Sequence, residues 1–352
     1  MTRFALDRLA HPIVQAPLAG GPSTAALAAA VSAAGGLGFL AAGYKAPEAV
    51  AAELGQVRAR TSAPVGVNVF AVGGEPAAPA AVERYASALC DESARLGVAL
   101  GTPRFDDDHF GEKVELLRRA RPAVVSFTFA VPADEVVEAL RDEGIAVWQT
   151  VTTPAEARAA AAAGVDALVV QGAEAGGHRG TFDDAAPAEI GLLALLQLVA
   201  VSAPALPLVA AGGIMNGAGV AAALAAGAHA AQLGSAFMLT PEAGTSAPHR
   251  AALASPERTA LTRAFSGRTA RGIVNRFLRE HDGEAPRAYP EVHHLTAPLR
   301  AAARERGDAD AINLWAGQAH ELAESVPAGE LVGRLAADAR AALRTAAARA
   351  GA

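Results

Sequence analysis

One stretch of the chain, residues 169–180, combines an apolar run with residue types that a protein core does not require. Two valines lead into Gln171, and four glycines then flank a single imidazole, His178, which Arg179 follows. Because the ordinary pKa of histidine lies near neutrality, such an imidazole can accept a proton or donate a hydrogen bond at physiological pH. The pattern predicts a buried strand that ends in an active-site loop, with His178 as its catalytic residue.

Glycine-rich loops also follow two later apolar runs. Gly212 and Gly213 end one run, and the segment Gln232–Ser235 ends the next. Glycines expose backbone N–H groups, and a helix that starts nearby adds positive potential, so such loops are suited to bind a phosphate. In barrels of alternating strands and helices, phosphate sites recur after strands seven and eight. We predict phosphate binding here, with simple turn formation as the alternative.

Polar or small residues stand at the ends of three more predicted strands. The small residues of segment 16–18 would let the backbone approach a flat ligand, although a tight turn would need them too. Asn68 lies amid apolar residues, and a buried asparagine satisfied by the backbone is its plainer interpretation. Thr128 is a strand-end hydroxyl that need not take part in any chemistry.

Motifs for several other chemistries are absent from the sequence. It contains no Gly-x-Gly-x-x-Gly, no Gly-Lys-Ser/Thr and no Gly-x-Ser-x-Gly. His178 has no second histidine near it in the chain, and His293 and His294 are adjacent, so their side chains are expected to point apart. We expect no metal site.

Eight short apolar runs alternate with alanine-rich segments of helical spacing over residues 12–244. The predicted strands are Pro12–Ala16, Gly36–Ala41, Pro64–Phe70, Ala123–Phe129, Ile145–Thr150, Asp166–Gln171, Leu206–Ala211 and Ala230–Leu233. Val98–Gly101 is a rival that we leave out because it is short and runs into Gly-Thr-Pro. Eight alternations favour an α/β fold, a (β/α)8 TIM barrel, over an open doubly wound sheet.

The pattern changes after Leu239 to helix-like pieces joined by polar connections. We predict helices over Arg258–Phe265, Arg271–Glu280, Pro298–Arg306, Asp308–Leu314 and Ala328–Ala348. Residues 245–324 would then form a helical segment that caps the substrate site, and residues 1–244 with 325–352 would form the barrel. In the last helix, the apolar residues Leu331, Leu335 and Leu343 share one face, which predicts packing on the barrel.

Composition narrows the class of protein further. The 352 residues are 52% hydrophobic and 19% charged, with a formal net charge of −6 and no basic run, so a nucleic-acid partner is not expected. The single cysteine, Cys90, fits a reducing compartment. Neither a signal peptide nor a membrane span is predicted, and we expect a cytoplasmic monomer or homodimer.

Taken together, the motifs resemble those of the nitronate monooxygenase family, formerly called 2-nitropropane dioxygenases, and in particular its bacterial class I. The resemblance covers nearly the whole chain. The matching motifs lie at residues 12–21, 36–44, 67–70, 171–180, 211–214, 232–235, 266–272 and 315–318. The run from Glu174 to Gly180 is specific to this superfamily. The family consists of FMN-dependent (β/α)8 barrels that oxidise an alkyl nitronate with O2 to a carbonyl compound and nitrite.

The resemblance implies roles for individual residues. FMN would be bound by Ala16, Pro17, Leu18, Asn68, Gln171, Gly176, Gly177, Gly212, Gly213, Gln232, Leu233, Gly234 and Ser235. His178 matches the active-site histidine, which removes the α-proton of a neutral nitroalkane or orients a nitronate that is already ionised. A protonated imidazole would favour such an oxyanion. Thr128, Tyr289 and His293 would lie in the substrate pocket.

Departures from the family pattern leave the substrate open. Related sequences often have histidine in place of Thr128, and tyrosine and lysine in place of His293 and Ala297. Two groups of relatives with much the same motifs, the enoyl-acyl-carrier-protein reductases and the NAD(P)H:quinone reductases, make an FMN-dependent NAD(P)H reductase the main alternative. A flavin-binding protein without turnover is an alternative of another class.

Overall fold

The protein was analysed as a computed structural model that describes residues 3–351. Its strands are β1 Ile13–Gln15, β2 Gly38–Ala41, β3 Val65–Phe70, β4 Val124–Thr128, β5 Ala146–Val151, β6 Ala167–Gln171, β7 Gly177–His178, β8 Leu208–Ala211, β9 Ala230–Leu233, β10 Thr259–Thr262 and β11 Ala270–Ile273. Its helices are α1 Ala25–Ala33, α2 Pro47–Arg58, α3 Pro79–Ala88, α4 Cys90–Leu96, α5 Phe110–Ala120, α6 Asp134–Asp142, α7 Pro154–Ala162, α8 Leu192–Ser202, α9 Gly217–Ala225, α10 Ala247–Leu253, α11 Arg276–His281, α12 Glu291–Arg306 and α13 Ala328–Arg349.

Eight of these strands form one parallel sheet in the order β1-β9-β8-β6-β5-β4-β3-β2. The sheet closes on itself between β1 and the residue before β2, where Leu37 donates to the Ile13 carbonyl at 2.9 Å and accepts from Gln15 at 2.9 Å. All eight predicted strands are present, and the predicted TIM barrel is confirmed. Val98–Gly101 forms no strand, as expected.

Side chains fill the barrel at the amino-terminal ends of its strands. Phe39 and Trp148 are buried there with ring centroids 5.7 Å apart, and Phe4 packs beneath Trp148. The strands are buried on both faces because helices cover the outside, which explains their nearly continuous apolar sequences. A cavity lies at the carboxyl-terminal side of the barrel, where the polar strand ends predicted one.

Local sequence signals set the limits of several helices. Thr24, Thr153 and Asn216 cap α1, α7 and α9 by accepting hydrogen bonds from backbone N–H groups of the first turn. The predicted closing helix is α13, and its Leu331, Leu335 and Ala339 are buried against the barrel. Within the described residues, no helix is both long enough and apolar enough to span a membrane.

The segment 245–324 is not entirely helical, which corrects the sequence prediction. Arg258–Phe265 contains strand β10, and the first half of Arg271–Glu280 is strand β11. These two strands pair antiparallel, and β11 also pairs with β7. The pairing of β11 with β7 joins residues about ninety positions apart, so local spacing could not reveal it. Tertiary contacts override helical preference here.

Two other helix predictions in this segment were inaccurate. Asp308–Leu314 contains only a single 3-10 turn, Ala309–Ala311. Helix α12 begins at Glu291, not at Pro298, which lies inside it. Proline is frequent in the first turn of a helix, so the sequence suggested a start where the helix in fact continues.

Candidate active site

A cavity of about 360 Å³ opens at the carboxyl-terminal ends of the barrel strands. Of the residues predicted to bind cofactor or substrate, it is lined by Ala16, Pro17, Leu18, Asn68, Thr128, Gln171, Gly176, Gly177, His178, Gly212, Gly213, Gln232, Gly234, Ser235 and His293. Two predicted residues do not line it. Leu233 is 1% exposed and lies in the core between sheet and helices, and Tyr289 lines a neighbouring cavity of about 270 Å³.

His178 is held by both the barrel and the C-terminal segment. It lies in β7 opposite Ala270 of β11, and its carbonyl accepts from the Gln171 side chain at 3.1 Å. The imidazole Nε2 lies 2.9 Å from the Ser266 hydroxyl. The rings of Phe129 and Trp315 meet the imidazole edge-on at 5.8 and 5.6 Å.

This environment keeps the imidazole neutral. Burial, and secondarily the positive charges of Arg268 and Arg300, lower the pKa of His178 to about 3. A lowered pKa disfavours the protonated imidazole that the family resemblance implied as a partner for an oxyanion. A neutral imidazole has a lone pair that can accept a proton, and a pKa of about 3 makes it a weaker base than a free histidine.

Ser266 defines which imidazole nitrogen can act. Its hydroxyl also lies 3.2 Å from the Arg268 carbonyl oxygen, to which it can donate. In that arrangement, the neutral imidazole carries its hydrogen on Nε2 and donates it to the Ser266 oxygen. Nδ1 then has the free lone pair. No protein group among residues 3–351 hydrogen-bonds to Nδ1, so this atom is the candidate base.

The glycine loops offer backbone donors that the protein leaves unused. In the described part of the chain, no protein group accepts from the backbone N–H of Gly176, Gly213 or Gly234. Gly213 has φ +68° and precedes α9, and Ser235 begins a 3-10 turn, Ser235–Phe237. Unpaired N–H groups at such positions are ready to bind an anion.

Gly176 also serves a packing role. A Cβ atom at this position would lie 2.4 Å from the carbonyl carbon of Ala316. Only glycine lets the active-site loop pass so close to the backbone of the C-terminal segment.

The side-chain amides that line the cavity differ in how many hydrogen bonds they make to the protein. Asn68 Nδ2 donates to both oxygens of Ser126 and to the Thr128 hydroxyl, at 2.9–3.1 Å, while its Oδ1 has no protein donor among the described residues. Gln171 uses both ends of its amide to hold the 178–180 loop. Gln232 makes no side-chain hydrogen bond to any residue of the described range, so it is free to bind a ligand.

An aromatic partition separates the two cavities. The rings of Tyr44 and His293 stack at 3.9 Å with an interplanar angle of 5°. The Tyr289 hydroxyl lies 3.3 Å from that of Tyr44, and the Tyr289 ring meets His178 edge-on at 5.7 Å. Tyr289 therefore contacts the His178 imidazole from outside the main cavity.

Sequence reasoning missed several residues of this site. Ser266 reaches it from a loop far along the chain, and no local pattern indicates its contact with His178. A signal did exist for α12, where His293, Ala297, Arg300 and Arg304 share one helical face and all line the cavity.

Comparison with known proteins identifies the family. The family model for nitronate monooxygenase matches residues 4–338. A nitronate monooxygenase from Pseudomonas aeruginosa is 44% identical over 334 residues, which cover 92% of this chain and 94% of that protein.

Solved structures agree with this match. A nitroalkane oxidase from Streptomyces ansochromogenes has 53% sequence identity and a TM-score of 0.94, with coverage of 97% of this chain and 98% of that one. FabK from Thermotoga maritima has the same fold at 24% identity, with a TM-score of 0.78 and coverage of 98% and 97%. The His178 loop, the glycine-lined cavity and the matches over nearly the whole chain lead to one conclusion: the chain belongs to the nitronate monooxygenase family, a group of flavin-dependent oxidoreductases.

Proposed function

We propose that this protein uses FMN to oxidise alkyl nitronates with O2, giving a carbonyl compound and nitrite. The observation that carries the proposal is a neutral His178 in a cavity that is also lined by glycine loops with unpaired N–H groups. Membership of the family supports the reaction.

The residues present fit FMN. The unpaired N–H groups of Gly213 and Gly234, with Ser235, would bind the phosphate. The remaining contacts would come from segment 16–18, Asn68, Gln171, Gly176, Gly177, Gly212 and Gln232. Bound flavin would supply the electron-transfer chemistry with O2 that amino-acid side chains cannot. Leu233 would contribute only by packing beneath this wall.

The protein's own part is proton acceptance, orientation and exclusion of water. Nδ1 of His178 would accept the α-proton of a neutral nitroalkane, and with an ionised nitronate the imidazole would orient the substrate. Phe129 and Trp315 surround the imidazole and limit the access of water. Thr128, Tyr289 and His293 would shape the substrate pocket, and residues 245–324 would close it.

Two assays, carried out one after the other, test the proposal. The visible spectrum of the purified protein, with identification of the released flavin, checks for FMN. Oxygen uptake and nitrite release with ethylnitronate then check the reaction, and we expect both to depend on the nitronate. Rapid bleaching of the flavin by NADH or NADPH without oxygen, combined with no nitrite from nitronate in air, would instead identify a reductase.

A further inference from the structure

Helix α12 brings two arginines into the cavity without a carboxylate partner. Arg300 and Arg304 lie one turn apart and both line the cavity. Neither forms an ion pair with any carboxylate among residues 3–351. Arg300 is only 6% exposed, so burial removes most of the hydration of its charge.

The hydrogen bonds of Arg300 fix its guanidinium and leave one end free. Nε donates to the Thr296 hydroxyl at 3.1 Å, and Nη2 donates to the His293 carbonyl at 2.8 Å. Nη1 has no acceptor in the described part of the chain. A buried cation without a partner is costly, so a site that retains one is suited to bind an anion.

Neighbouring groups cannot neutralise this charge. Burial raises the pKa of Tyr44 to about 12 and that of Tyr289 well above its usual value, so both phenols stay neutral. Two carboxylates line the neighbouring cavity, and both have other partners: Asp108 forms an ion pair with Lys113 at 2.8 Å, and Asp106 lies 2.8 Å from His294 Nε2. Arg268 adds a further positive charge near His178, with its guanidinium 4.0 Å from the centroid of the Phe129 ring.

We propose that Arg300 binds the negatively charged group of the substrate, and that it selects ionised nitronates over neutral nitroalkanes. The identity of the substrate rests on the proposed function, and the position of the anion site rests on the geometry of α12. His178, being neutral, supplies no charge for this purpose, whereas Arg300 is a buried cation that lines the cavity. Arg304 would strengthen the same positive potential from one turn further along α12.

The test compares three variants of the flavin-loaded protein. Arg300→Met removes the charge and keeps the apolar stem, Arg300→Lys keeps the charge, and Arg306→Met is a matched control at an exposed position of the same helix. We expect the KM for ethylnitronate to rise at least tenfold in Arg300→Met, with recovery in Arg300→Lys and no change in the control. The KM for neutral nitroethane should change less than threefold. A nitronate KM within twofold of the parent in Arg300→Met would refute the assignment.

Nitrate binding separates this inference from the proposed function. Nitrate is a planar, unreactive anion, and its binding is measured by the absorbance of the bound flavin, or by calorimetry if the purified protein carries no flavin. We expect at least tenfold weaker nitrate binding in Arg300→Met than in the parent and the control, whether or not the parent releases nitrite from nitronate. The role of Arg300 would be overturned if nitrate bound all three proteins equally or did not bind the parent. It would also be overturned if Arg300→Met lost flavin while its nitronate KM stayed unchanged.

Discussion

Burial keeps three histidines of this protein unprotonated at neutral pH: His178, His249 and His293. In each, loss of hydration is the main cause of a lowered pKa, and nearby arginines add repulsion. His294 differs because its Nε2 lies 2.8 Å from Asp106, whose negative charge opposes the lowering of the pKa by burial. For His178 this environment defines its chemistry, since a neutral imidazole can accept a proton.

Replacing His178 tests its role as a base. We expect His178→Asn to lower nitrite release from neutral nitroethane by about 100-fold or more, the usual contribution of a general base. The loss with ethylnitronate should be smaller because that substrate has no α-proton to lose first. His229→Asn, at an exposed position outside the cavity, is the matched control. Parental turnover of both substrates in His178→Asn would remove His178 from the mechanism.

The pH dependence of turnover tests the neutral state of His178. Because its pKa is lowered to about 3, the imidazole stays unprotonated from pH 7 down to pH 5. We expect kcat/KM for nitroethane to show no acid limb in this range. An acid limb with a midpoint near pH 6.5 that disappears in His178→Asn would contradict the lowered pKa.

At the scale of elements, the two-residue strand β7 joins the halves of the active site. It follows β6 of the barrel and pairs with β11 of the C-terminal segment. Arg271 of β11 strengthens this connection by donating to the Ala173 carbonyl at 2.9 Å. The position of the imidazole therefore depends on a sheet outside the barrel.

The glycine loop before α9 can be tested as a phosphate site. Asp in place of Gly213 would add a negative charge at the unpaired N–H groups, and its Cβ would lie 3.2 Å from that of Glu174. We expect Gly213→Asp to purify with less than a tenth of the parental flavin, measured as the ratio of absorbance at about 450 and 280 nm. Gly227→Asp controls for backbone strain, because Gly227 also has positive φ but lies outside the cavity. Full flavin occupancy in Gly213→Asp would refute the phosphate assignment.

For the whole molecule, the buried histidines link stability to pH. Well above pH 6.5 they are neutral in both the folded and unfolded states and contribute nothing to the pH dependence. As the pH falls below 6.5, the unfolded chain binds protons that the folded protein cannot, so stability is lost progressively down to pH 4 for His249. Each such histidine contributes a slope of about 1.4 kcal/mol per pH unit.

Urea unfolding between pH 6.5 and 4.5 measures this effect. We expect the free energy of unfolding of the parent to fall with pH more steeply than that of His249→Gln, by about 1.4 kcal/mol per unit. The same variant should show equal slopes above pH 7. Identical slopes of parent and variant below pH 6.5 would contradict a lowered pKa for His249.

Local patterns in the sequence determined the barrel and much of its cavity. Apolar runs and helical spacing recur within ten to twenty residues, and parallel strands bring their carboxyl ends to one side, so fifteen of the predicted site residues line one cavity. Long-range contacts decided the rest. The pairing of β7 with β11, the contact of Ser266 with His178 and the uncompensated charge of Arg300 depend on residues far apart in the chain. Burial, which lowers the pKa of His178 and keeps it neutral, is likewise a property of packing, because hydration is lost only when the surrounding segments close over the imidazole.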